Sequence, residues 1–171
     1  MSHLDLALTS ITIGSWQMVA VTFQSPSELV AVPVIGVIGN SVTTSPLGKQ
    51  RLLQWKKQVA VTIRQHRGAT PWKTSWQYAL SVGFSFYPRI HGNQALDVEN
   101  FLKPSFDALA AGLFCDEATD IAKLQRYNYD DSNFRRLFVY RLPDARTELE
   151  EGAAFCISAR KYDEYVGTEL E

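Results

Sequence analysis

The chain has 171 residues, 46% hydrophobic and 20% charged, with a net charge of −1. These values suit one globular domain with an ordinary core and exclude a disordered chain, while Cys115 and Cys156 are too few and too far apart for a disulfide framework or a zinc site. The first residues lack the basic segment of a signal peptide and no run is long enough to span a membrane, so the expected compartment is the cytoplasm.

Residues 1–28 read as an N-terminal extension, either an added hairpin or a loosely held segment. Ile11-Thr12-Ile13 and Val19-Ala20-Val21-Thr22-Phe23 form short strands around Gly14-Ser15, and Ser25-Pro26-Ser27 is a turn. Leu29 to Ile38 is apolar and Val-rich, which predicts a buried strand. Ser45-Pro46 then opens a helix to about His66, with Leu52, Trp55, Val59 and Ile63 as its buried stripe. Trp76 to Tyr87 alternates large apolar residues with Gln77, Ala79, Ser81, Gly83 and Ser85, the pattern of a strand with one face in the core.

After a loop containing His91, Asp97 is a good N-cap for a helix whose stripe is Val98, Leu102, Phe106, Leu109 and Leu113. Pro104 lies one turn in and predicts a kink, or a short turn before the main helix. Gly112 weakens the helix end, and Asp116-Glu117 follows it. Thr119–Tyr129 and Phe134–Arg141 read as a hairpin across Asp130-Asp131-Ser132-Asn133. Residues 144–171 carry eight acids against three Lys and Arg and read as an acidic C-terminal extension, part helix or strand and part tail, around the apolar island Ala153–Ile157. The expected fold class is therefore α/β (α+β). A single domain over residues 29–143 has a mixed β-sheet packed by two main helices, in the order β-α-β-α-β-β.

Charge is unevenly distributed along the chain. From Leu29 to Leu96 there is no Asp or Glu, while Lys49, Arg51, Lys56, Lys57, Arg64, Arg67, Lys73 and Arg89 give +8; from Asp97 onward the sum is −7. On the first helix the cations fall mostly off the buried stripe and alternate with glutamines. Such a face can lie along a phosphate backbone without reading bases, so Lys49, Arg51, Lys56, Lys57, Arg64 and Arg67 are candidate DNA contacts.

The acidic side begins with Asp97-Val98-Glu99-Asn100, with Lys103 four residues beyond Glu99. Together with Asp116-Glu117, these carboxylates could hold a divalent cation, since hard cations such as Mg²⁺ take oxygen ligands. Asn100 is a further candidate for contacting DNA. A basic half ahead of this cluster suits a metal-dependent enzyme acting on phosphates.

Asp97-Val98-Glu99-Asn100-Phe101-Leu102-Lys103-Pro104-Ser105-Phe106-Asp107-Ala108-Leu109 resembles the D-x-D-N-x-x-K-x-x-x-D-A-L motif of the RusA-type Holliday-junction resolvases. Gly112-Leu113-Phe114-Cys115-Asp116-Glu117 is similar to that family's G-x-x-x-D-D segment. The resemblance covers roughly residues 29–143. It implies a Mg²⁺- or Mn²⁺-dependent endodeoxyribonuclease of recombination and repair, a homodimer that cuts opposed strands of a four-way junction. By position it implies that Asp97, Glu99 and the pair Asp116 and Glu117 bind metal, with Lys103 beside them as a catalytic cation. Glu99 and Glu117 stand where the family has Asp, one methylene longer. The alternatives are a non-catalytic DNA-binding relative of the same fold, and a metal-dependent hydrolase acting on other nucleic acids.

Overall fold

A computed structural model describes residues 7–22, 28–67, 72, 76–88, 97–114 and 133–161. The elements are β1 (Ala7–Ile13), β2 (Trp16–Thr22), β3 (Glu28–Ile35), α1 (Pro46–His66), β4 (Trp76–Ser85), α2 (Val98–Phe114), β5 (Phe134–Arg141) and β6 (Gly152–Lys161). From β3 to β5 they follow the expected order, a mixed α+β architecture, and the last strand, β6, comes from the segment expected as a C-terminal extension. The described strands form a two-stranded sheet, β1-β2, and a four-stranded sheet in the order β3-β6-β4-β5. The expected strand at 119–129 and the loop carrying His91 lie outside the described residues.

The sheet has two apolar faces. Toward the helices point Val32 and Val34 of β3, Tyr78, Leu80, Val82 and Phe84 of β4, and Phe155 and Ile157 of β6, all fully buried. This is the side on which the alternation of β4 places its large residues. Its other face, which carries the small and polar residues of β4, is covered by the β1–β2 hairpin. Ser81 and Ser158 are fully buried there; Ser81 Oγ accepts the Val21 N–H at 2.6 Å, and Ser158 Oγ donates to Val21 O at 3.4 Å. Small residues at 79, 81 and 83 leave room for the hairpin, whose Trp16, Met18 and Ala20 pack on Ala154 and Cys156. The N-terminal strands are therefore a third layer of the core. Gly14 begins their two-residue turn at φ 61°, the sign a II′ turn requires at its first central position.

The segment expected as an acidic extension contains one of the two inner strands of the sheet. β6 pairs antiparallel with β3 on one side and with β4 on the other. A strand buried on both faces reads as a continuous apolar run and lacks the alternation that would identify it, and acids surround this one in sequence.

Helix α1 follows its expected bounds. Ser45 caps it by accepting the Gly48 N–H at 3.0 Å, Pro46 occupies the first turn, and Trp55, Val59, Ala60 and Ile63 are buried. It packs beside α2 at close range: a Cβ on Gly112 would stand 2.7 Å from Ala60 O, so Gly112 serves the contact and the helix continues past it to Phe114. Between the helices, Trp55 Nε1–H donates to Ser105 Oγ at 2.9 Å, and that hydroxyl donates to Phe101 O at 2.7 Å.

Pro104 does not break α2 or divide it into a short turn and a main helix; the helix is assigned without interruption from Val98 to Phe114. Proline removes the N–H that would bond the carbonyl four residues earlier, that of Asn100. That carbonyl instead accepts from the backbone N–H and the hydroxyl of Ser41, in the β3–α1 connection. An outside donor pair thus replaces the missing intrahelical bond.

Candidate metal and nucleic-acid site

Because β6 runs antiparallel to both β3 and β4, and β5 runs parallel to β4, strands β3, β4 and β5 all end at one edge of the sheet. Both helices begin there. Phe101, in the first turn of α2, lies 4.9 Å from Phe86 just beyond β4, whereas Phe114 at its other end lies 5.4 Å from Tyr78 near the start of β4. At that far end an Arg67 guanidinium nitrogen of α1 donates to Leu113 O of α2. The carboxyl edge of parallel strands, faced by helix N-termini, is where open α/β sheets place ligands, and N-terminal dipoles there favour anions.

Asp97 and Glu99 lie at this edge, both exposed. Asp97 caps α2 as expected: Oδ1 accepts the Glu99 N–H at 3.1 Å, and its backbone carbonyl accepts the Asn100 N–H at 3.0 Å. Lys103 follows one turn after Glu99, its side chain 55% exposed, with Nζ 3.1 Å from Asp107 Oδ1. That contact is an ion pair without a well-directed hydrogen bond, since Asp107 Oδ1 has no aligned donor. Asp107 Oδ2 accepts from Lys56 Nζ of α1 at 3.3 Å. Asp116 and Glu117, the other half of the expected cluster, lie outside the described residues.

The donor set at the edge is all oxygen, as a hard cation prefers, and the second Asp97 oxygen is not used by the cap. Among the described residues no group of three or more His, Cys, Asp or Glu side chains could hold a metal ion. Asp97 and Glu99 would be oxygen ligands suited to a hard cation, but by themselves fall short of a full ligand set. Cys156 is not a candidate, because burial pushes its thiol up to about 12 and the thiolate is the form that ligates. Burial likewise holds Tyr140 up at about 12, against a weak opposing contact with Val19 O.

The expected DNA-contacting cations divide into two sets. Lys49, Arg51 and Lys57 are exposed on α1, while Lys56, Arg64 and Arg67 are half-buried, with Lys56 and Arg67 directed toward α2. Asn100 is half-buried, and its backbone carbonyl is committed to Ser41.

Three further residues are not among the site residues expected from the sequence: Asp107 in the middle of α2, and Glu151 and Arg141 near the edge. Asp107 stands in the quoted motif, and its spacing of four from Lys103 is the signal that marks it. Glu151, only 2% exposed, accepts the Ile38 N–H on Oε1 at 3.0 Å, while its backbone carbonyl accepts the Gly36 N–H at 2.9 Å. It ties the start of the β3–α1 connection to β6, and nothing local in the sequence distinguishes it from the exposed acids nearby. Arg141, at the end of β5, lies 5.7 Å above the Phe86 ring and pairs with Asp144 at 2.7 Å.

No family model matches the chain, and no curated protein matches it. Among the described residues no helix is long and apolar enough to cross a membrane.

Proposed function

We propose that the chain is a Mg²⁺-dependent endodeoxyribonuclease that acts on branched DNA, four-way junctions foremost, in recombination and repair. The observation that carries this reading is the series Asp97, Glu99 and Lys103 exposed along the start of α2, at the edge where α1 also begins. Carboxylates for a cation stand there beside helix N-termini that favour a phosphate. The resemblance to the RusA-type resolvases supports the same assignment.

In this reading Asp97 and Glu99 hold the cation together with Asp116 and Glu117. When bound, the cation supplies charge neutralisation and a more acidic water for phosphodiester hydrolysis. Lys103 directs a fixed positive charge at the phosphate, where negative charge grows in the transition state, an effect often worth about 3 kcal/mol. Lys49, Arg51 and Lys57 on the exposed side of α1 hold the DNA backbone and give no base preference. A homodimer carries two such sites and makes two opposed cuts.

The test is incubation of the purified protein with a labelled synthetic four-way junction and Mg²⁺, beside duplex and single-stranded controls. Symmetrical nicking of the junction is expected. Cleavage confined to another DNA form would replace the substrate assignment, and no cleavage of any form with Mg²⁺ or Mn²⁺ would remove the nuclease reading.

A further inference from the structure

We propose that Asp107 is a positioning residue that draws the Lys103 ammonium away from Glu99 and so keeps the Glu99 carboxylate open to a divalent cation; this rests on the metal-site reading above. Glu99, Lys103 and Asp107 are spaced four apart on α2, so Lys103 has one carboxylate a turn before it and another a turn after it. Spacing alone favours the first, because Glu placed four residues N-terminal to Lys is the better-oriented helical pair. A lysine bound to Glu99 would compete with a cation for the same oxygens.

The structure has the second pairing. Lys103 Nζ lies 3.1 Å from Asp107 Oδ1, and the Asp107 side chain is only 12% exposed, whereas Glu99 is exposed. Attraction to a carboxylate at the protein margin is less screened than attraction to one in open water. Asp107 is also held from the other side by Lys56, whose side chain is 14% exposed, at 3.3 Å. The carboxylate is therefore anchored before Lys103 reaches it. A cation on the neighbouring helix thus fixes the acid that sets the position of the lysine.

Calorimetric titration of the full chain with Mn²⁺ tests this on the wild type and on D107N, K103A and K103A/D107N. Asn at 107 removes the carboxylate that draws Lys103 away from Glu99, so D107N should weaken Mn²⁺ binding by about twofold or more. Removing the lysine should then restore what was lost, so that K103A strengthens binding more in the D107N background than in the wild type. Equal gains in both backgrounds, or unchanged affinity in D107N, would overturn the proposal. Should D107N fail to fold for want of a partner to Lys56, K56M/D107N removes both half-buried charges and serves in its place. Absence of Mn²⁺ binding by the wild type, or binding that Asp97→Asn leaves unchanged, would overturn the metal-site reading itself and this inference with it.

Discussion

Ser41 gives two hydrogen bonds to the Asn100 carbonyl, from its N–H at 2.9 Å and its hydroxyl at 2.8 Å, and so stands in for the donor that Pro104 lacks. Ser41→Ala keeps the backbone bond and should cost about 1 kcal/mol in chemical denaturation. In a Pro104→Ala background the helix recovers its own donor, so the same change should cost measurably less. Equal costs in both backgrounds would show that the two residues are not coupled.

Asp97→Asn separates the structural part of that residue from its chemical part. Asn caps helices as well as Asp does, so the melting temperature should stay within a few degrees of wild type. Mg²⁺-dependent cleavage should be lost while DNA binding persists, read on one gel and one binding curve. Junction cleavage at the wild-type rate would remove Asp97 from the metal site.

Lys56 and Lys57 are adjacent in sequence and should behave differently. Lys57→Ala, on the exposed side of α1, should reduce the slope of log affinity for DNA against log salt by about 1, with stability unchanged. Lys56→Ala leaves Asp107 with only the exposed Lys103 and should cost about 2 kcal/mol of stability. Denaturation curves and salt titrations on both variants check the contrast. A larger salt effect at Lys56 than at Lys57 would reverse it.

Alkaline pH should weaken the fold through Cys156 and Tyr140. Burial raises both folded-state values to about 12 from ordinary values of 9.0 and 10.0. Below those ordinary values both groups are neutral in either state. As pH rises, the unfolded chain releases its protons first, so stability falls from about pH 9 to about 12. Cys156→Ala should flatten the first part of that decline. In a Cys115→Ser background the remaining thiol should react with a thiol reagent only on unfolding; rapid reaction of the native protein would contradict its burial.

Helix α1 and strand β4 were legible because their signals are local: a Ser-Pro start with stripes of three and four, and a strict alternation of large residues. The Asp97 cap was legible for the same reason. The tertiary partners were not. Nothing local marks Ser81 and Ser158 as buried, yet they bond the backbone of a hairpin distant in sequence. Pro104 reads as a break unless Ser41 is known to stand beside Asn100. Lys56 reads as one more cation on a basic face until α2 brings Asp107 to it. At the candidate site, the order of acids and lysine could be read from spacing, but the choice of Asp107 as partner for Lys103 could not.

The position of β6 also bears on how the protein is made. During synthesis the ribosome releases β3, β4 and β5 before the strand that joins them, and β3 has no other pairing partner among the described strands. The nascent chain therefore carries β3 with an open edge, a liability for misassembly, until Gly152–Lys161 emerges. Closure of the sheet then depends on contacts far apart in sequence, such as Val32 with Phe155, which slows folding relative to a chain of local pairings. A premature stop before Gly152 would leave β3 without its pairing partner beside an intact β4–β5 pair, so completion of this sheet waits on its last described strand.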